Sequence, residues 1–140
     1  MSENDNLDDL IQDIKSIKES IERLELLEKP IFVQDGDKKK VIRIPEICFI
    51  TTNSKGLDIY TLDNKKHINF SSISETAEEF KDDSRLMKTH KSFIVNLDNI
   101  SSVKVIAGGR EVTFIGLPED ITAKITSDVL EEFEKRFGKT

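Results

Sequence analysis

The chain of 140 residues holds no tryptophan, one tyrosine, one cysteine, two histidines and three prolines. A single cysteine, Cys48, excludes a disulfide within the chain. Its neighbours Ile47 and Phe49 place it in a core rather than at a reactive surface. Such sparing use suits a reducing compartment. His67 and His90 lie in separate segments without Cys/His or His-x-x-x-His spacing, so no metal site is expected. No glycine-rich loop follows a strand and opens a helix, and Gly108-Gly109 reads as a hairpin turn instead of a phosphate cradle. Apolar runs long enough to span a bilayer are missing, and the acidic N-terminus is unlike a secretory signal. A soluble cytoplasmic protein is expected, with no catalytic residues, metal or cofactor and no membrane insertion.

Charge is plentiful, at 34% of residues, and the net charge is −6. It is unevenly placed: residues 1–29 carry −5 of it, and the remainder is close to neutral. An acidic total argues against a nucleic-acid partner, but a neutral main body permits a local basic face. Eight phenylalanines supply most of the aromatic content, so the core is expected to be Ile, Val, Leu and Phe. The length fits one ordinary domain with a short appendage.

The appendage reads as a helix over residues 7–27, capped at Asp5 or Asn6 and stopped by Pro30. Leu7, Leu10, Ile14, Ile17, Ile21 and Leu24 alternate spacings of three and four, an a/d seam, with Ile11 and Leu27 on its flanks. A helix of this length must bury that stripe. It either packs on its own domain or forms a short dimeric coiled coil, and the strict heptad favours the homodimer. The domain division is therefore 1–29, an oligomerisation segment, and 31–138, the main body.

After Pro30 the period changes to two. Strands are expected at 31–34, 40–44, 47–50, 57–62 and 67–70, separated by the polar turns 35–37, 51–56 and 63–66. Ser71 or Ser72 caps a short helix to about Phe80. Further strands follow near 100–106, 111–115 and 120–125, and a last helix runs from about Asp128 to Phe137. The body is thus mainly β with minor α, and no helix-turn-helix pair is evident.

One stretch stands out: Arg85-Leu86-Met87-Lys88-Thr89-His90-Lys91-Ser92-Phe93-Ile94-Val95-Asn96-Leu97-Asp98-Asn99-Ile100. Arg85, Lys88, His90 and Lys91 form a basic cluster able to pair with phosphates. Phe93, Ile94 and Val95 can anchor the backbone. Asn96 is either a turn residue or, through its amide, a reader of an adenine edge.

The run His90-Lys91-Ser92-Phe93-Ile94-Val95-Asn96 resembles the signature of the LytTR family of bacterial DNA-binding domains, and the element order over about 105 residues is similar too. That resemblance implies small antiparallel sheets stacked into an elongated β body, which reads the major groove through loops. It implies a first contact loop at Thr52-Asn53-Ser54-Lys55-Gly56, a second contact at Asn96 and a third at Lys124-Ile125-Thr126-Ser127. Base contacts are expected from Asn96, Lys55, Lys124, Thr126 and Ser127. Backbone contacts are expected from Arg85, Lys88, His90, Lys91, Ser92, Asn53 and Ser54. The third loop lacks the family's arginine and offers Thr126-Ser127 instead.

The function expected is sequence-specific binding of double-stranded DNA in transcription regulation, as a dimer on paired repeats. Residues 1–29 are too short for the receiver domain common in the family, so control would come from dimerisation or a regulatory protein partner. The alternative is a protein-interaction module of the same fold that has lost DNA binding and modulates another regulator.

Overall fold

In the computed structural model the described residues are 3–27 and 29–138, with side chains described for 6–21 and 29–138. Helix α1 (Glu3–Leu27) begins two residues ahead of Asp5, so neither Asp5 nor Asn6 is its cap. Ten strands follow: β1 (Pro30–Asp35), β2 (Lys38–Arg43), β3 (Ile47–Thr52), β4 (Leu57–Thr61), β5 (Lys65–Asn69), β6 (Leu86–His90), β7 (Phe93–Asn96), β8 (Ile100–Ile106), β9 (Gly109–Phe114) and β10 (Ala123–Thr126). Helix α2 (Ile73–Glu79) lies between β5 and β6, and α3 (Leu130–Phe137) closes the described chain.

The expected run of small sheets resolves into two. A seven-stranded antiparallel sheet has the order β2-β1-β5-β4-β3-β7-β6, and a three-stranded one has the order β10-β9-β8. Alternation explains the layers. In β4, Leu57 and Ile59 enter one core while Tyr60 turns to the other. The first core lies on the face covered by α2, where Ile73 and Phe80 meet Ile31, Ile42, Ile50 and Ile94. The second lies between the sheets, where Phe49, Val95, Val112, Ile125 and Phe133 of α3 meet. Phe49 stacks on Tyr60 at 4.6 Å and on Phe114 at 4.9 Å between ring centroids. Strands β1, β2 and β5 contribute nothing to this second core.

Ser72 caps α2 as expected, its hydroxyl accepting from the Glu75 amide at 3.1 Å. The last helix is split, because Ser127–Val129 form a 3-10 turn before α3 begins at Leu130. A second 3-10 turn, Ile44–Glu46, joins β2 to β3 and is pinned by two buried asparagines. Asn96 Nδ2 donates to the Ile44 carbonyl at 2.9 Å. Asn99 Nδ2 donates to the carbonyls of Pro45 and Ile47 at 3.1 and 2.7 Å.

None of the described side chains of α1 belongs to either core. Leu7, Leu10, Ile14, Ile17 and Ile21 are all exposed, and the side chain of Leu24 lies outside the described residues.

Candidate nucleic-acid interface

Four polar segments gather at one end of the two sheets because their strands all turn there. The β3–β4 loop starts at Thr52, whose amide donates to the Ser92 carbonyl in the β6–β7 turn at 3.3 Å. On the other side of that turn, the Thr89 hydroxyl donates to the Lys124 carbonyl at 2.8 Å. Thr126 returns the link, its hydroxyl donating to the Thr89 carbonyl at 3.2 Å. The Ser127 amide then donates to Gly108, in the β8–β9 turn, at 2.9 Å. The order across this end is thus loop 53–56, turn 91–92, the end of β10, and turn 107–108.

Each segment is held in a fixed shape. Asn53 Oδ1 accepts from the amides of Lys55 and Gly56, both at 2.7 Å, while its Nδ2 donates to Asp58 at 2.8 Å. This Asx turn presents Ser54 and Lys55 outward. A Cβ at Gly56 would press into the Asn69 carbonyl, so the loop seats against the end of β5 only as glycine. A Cβ at Gly109 would likewise strike the Ile125 carbonyl, which locks the β8–β9 hairpin to β10. In the β6–β7 turn, His90 Nδ1 accepts from the Ser92 amide at 3.0 Å, and the imidazole packs edge-on against Phe93 at 5.4 Å. Lys91 stands exposed at the tip.

The residues of the stretch 85–100 therefore separate. Four residues of β7 carry the chain from the turn to Asn96, about 10–13 Å away. There Asn96 is fully buried. Its amide nitrogen is spent on Ile44 and its oxygen accepts from the Asp98 amide at 3.0 Å. The expected base contact by Asn96 is corrected by this position, since both polar ends of the amide are satisfied inside the protein. Arg85 lies at the same far end. Its Nε and a terminal nitrogen reach the two oxygens of Asp83 at 3.0 and 2.9 Å, with the pair only 18% and 7% exposed. The expected backbone contact by Arg85 is corrected likewise, because a guanidinium committed to a buried carboxylate does not face a phosphate.

The other expected residues divide between tip and flank. Lys55, Ser54, Lys91 and Ser127 are exposed on the row of turns, with Asn53, His90 and Ser92 shaping them. Thr126 is half-buried with its hydroxyl engaged, so it stitches β10 to the turn. Lys124 projects from the outer face of the small sheet, opposite Glu111. Lys88 lines a cavity of about 320 Å³ beside Thr76, Phe80, Val129 and Arg136, off the row. Thr89, inside the stretch 85–100, and the hairpin pair Gly108-Gly109 also belong to this row of turns, a place that their sequence context had not given them.

Among the described residues no group of His, Cys, Asp and Glu could hold a metal ion. The Cys48 thiol is buried within the second core, and burial followed by the charge of Asp63 pushes its pKa up to about 11. No described helix is long and apolar enough to cross a membrane.

The two antiparallel sheets thus present a row of ordered polar turns at one end, with no helix leading. The model of the LytTr DNA-binding domain matches residues 37–138. The chain belongs to the LytTr DNA-binding domain family. Among solved structures it is similar to a LytTr DNA-binding domain from Bacillus cereus, with a TM-score of 0.63 and 13% identity over 79% of this chain and 97% of that one. No curated protein matches. The family is one of DNA-binding transcription regulators and its fold is a regulatory, non-enzymatic one.

Proposed function

We propose that this protein is a cytoplasmic, sequence-specific transcription regulator that reads the major groove through its row of turns and acts as a homodimer on paired repeats. The observation that carries this is the chain of four hydrogen bonds joining Thr52, Ser92, Thr89, Lys124, Thr126, Gly108 and Ser127. It fixes separate turns as one surface, so little ordering is lost on binding. Lys55 and Lys91 are the base-reading side chains, Lys91 taking the central place expected of Asn96. Ser127 adds a hydroxyl at the third loop. Ser54, Asn53, His90 and Ser92 set the backbone register, with Lys88 and Lys124 on the flanks.

The dimer rests on α1. In a parallel pair of its heptads, Asp13 at g faces Lys18 at e of the partner helix, so two ion pairs flank the Ile14–Ile17 seam. Both side chains are exposed and available for this. Two linked domains gain roughly 10²–10⁴ in avidity over one when both half-sites are in reach.

Selection of bound sequences from a random duplex pool, followed by anisotropy titration at two salt concentrations, tests the reading. Saturable binding that weakens with salt and prefers the selected sequence supports it. Absence of saturable binding at both concentrations favours the interaction module that has lost DNA.

A further inference from the structure

The seven-stranded sheet has one face that is covered over only part of its width. The second sheet and α3 pack on β4, β3, β7 and β6, while the same face of β2, β1 and β5 carries Phe32, Val41, Ile68 and Phe70. Register makes these neighbours: Phe32 pairs with Val41 across β1 and β2, and Gln34, two residues on, pairs with Ile68 of β5. Phe70 continues β5 beside Phe32. All four are exposed, Phe32 at 58% and Phe70 at 66%. Four large apolar side chains in one patch mark a contact surface, whereas singly scattered ones need no explanation.

We infer that this patch is the second half of the homodimer interface, packing against the same patch of another copy across the two-fold axis that pairs the α1 helices. The inference rests on the α1 dimer reading. Only two residues separate Leu27 from Pro30, the first residue of β1, so the end of α1 and the start of β1 lie within about 10 Å. Paired helices run about 10 Å apart, which brings two copies of β1 to within about 30 Å of each other at the axis. Phe32 is the second residue beyond Pro30 and faces out.

Three further features favour a second copy. A helix of 25 residues gives barely three heptads of seam, short for a stable pair without added apolar area. The seam of α1 has a matched partner in another α1, through Asp13 and Lys18, which leaves the patch for something else. The edge strand β2 is guarded by Lys38, Lys39 and Lys40, so approach by strand addition at the edge is disfavoured and the face remains.

Sedimentation equilibrium of the full chain, beside a Phe32→Ser/Phe70→Ser variant and an Ile14→Asp/Ile17→Asp variant, tests this. Val41→Lys, which sets like charges across the axis, serves as an independent patch variant. Far-UV circular dichroism of all four proteins checks that exposed substitutions leave the fold intact. The expected result is a wild-type dimer whose dissociation constant rises at least tenfold in both patch variants with unchanged dichroism. An unchanged constant in both, with the α1 variant monomeric, overturns the patch and leaves the α1 dimer standing. A dimer that survives the α1 changes but not the patch changes upholds the patch and overturns the helix pairing. A monomeric wild type overturns both.

Discussion

Asn96 Nδ2 donates to the Ile44 carbonyl at 2.9 Å, tying the end of β7 to a turn 52 residues earlier in the chain. The Asn96 oxygen meanwhile accepts from Asp98 at 3.0 Å, capping the 3-10 turn that leads into β8. One buried amide thus fixes two chain reversals at the end of the sheet away from the polar turns.

Asn96→Ala should therefore lower stability and spare recognition. A buried carbonyl and an amide lose their partner together, which costs about 3 kcal/mol. Urea denaturation reads this as a lower midpoint with an unchanged slope. The ratio of cognate to scrambled DNA affinity, measured on the folded protein, should stay within a factor of two. A stable variant with a collapsed ratio would return Asn96 to the groove.

The Asp83–Arg85 pair should show its contribution in the pH dependence of stability. Burial alone would raise the Asp83 pKa, but hydrogen bonds and charge from Arg85 outweigh it and leave the carboxyl below its usual range. A depressed folded pKa means stability fully present above the unfolded value of about 3.9 and lost as pH falls through the lower folded value. Asp83→Asn should cost about 3 kcal/mol near neutrality, since it strands a largely buried guanidinium. The gap between wild type and variant should narrow as pH drops toward 3, read by thermal melts across that range. A gap independent of pH would contradict the pairing.

Cys48 should behave as an inert core side chain. With its pKa pushed up to about 11, the thiolate fraction at neutral pH is roughly 100-fold below that of an unperturbed cysteine, before any steric protection. Labelling by a disulfide reagent should therefore follow global unfolding and rise in parallel with urea-induced loss of dichroism. Rapid labelling of the native protein would show that the second core opens locally.

Much of this was readable from residues alone. Alternation at Leu57, Ile59 and Thr61 located a strand, the pair Ser71-Ser72 narrowed a cap to two residues, and the heptad from Leu7 to Ile21 located a helix whose stripe the domain leaves exposed. Local patterns of this kind depend on neighbours within a few residues. Asn96 failed the same treatment because its partner, Ile44, is distant in sequence, and no local spacing distinguishes a buried amide from an exposed one. Arg85 failed differently: Asp83, two residues away, was visible, but burial of the pair was not. Gly108-Gly109 read correctly as a turn, yet its place beside Ser127 follows only from the register of β9 with β10.

The two lysines on the row of turns carry the strongest test of recognition. Lys91 caps the central turn and Lys55 the neighbouring loop, each on a segment fixed by hydrogen bonds at its base. A base contact made by a positioned side chain is worth about 1–3 kcal/mol, so Lys91→Ala should weaken cognate binding about tenfold and compress the cognate-to-scrambled ratio. Lys55→Ala should act in the same direction. Lys38 is the matched control, equally charged and exposed but at the start of β2, where the β1–β2 turn points away from the row. Lys38→Ala should change neither affinity nor the salt slope beyond the loss of a distant charge. Anisotropy titration of the three variants on the selected duplex at two salt concentrations separates these outcomes. Equal, small effects from Lys38→Ala and Lys91→Ala would place the DNA somewhere other than the row of turns.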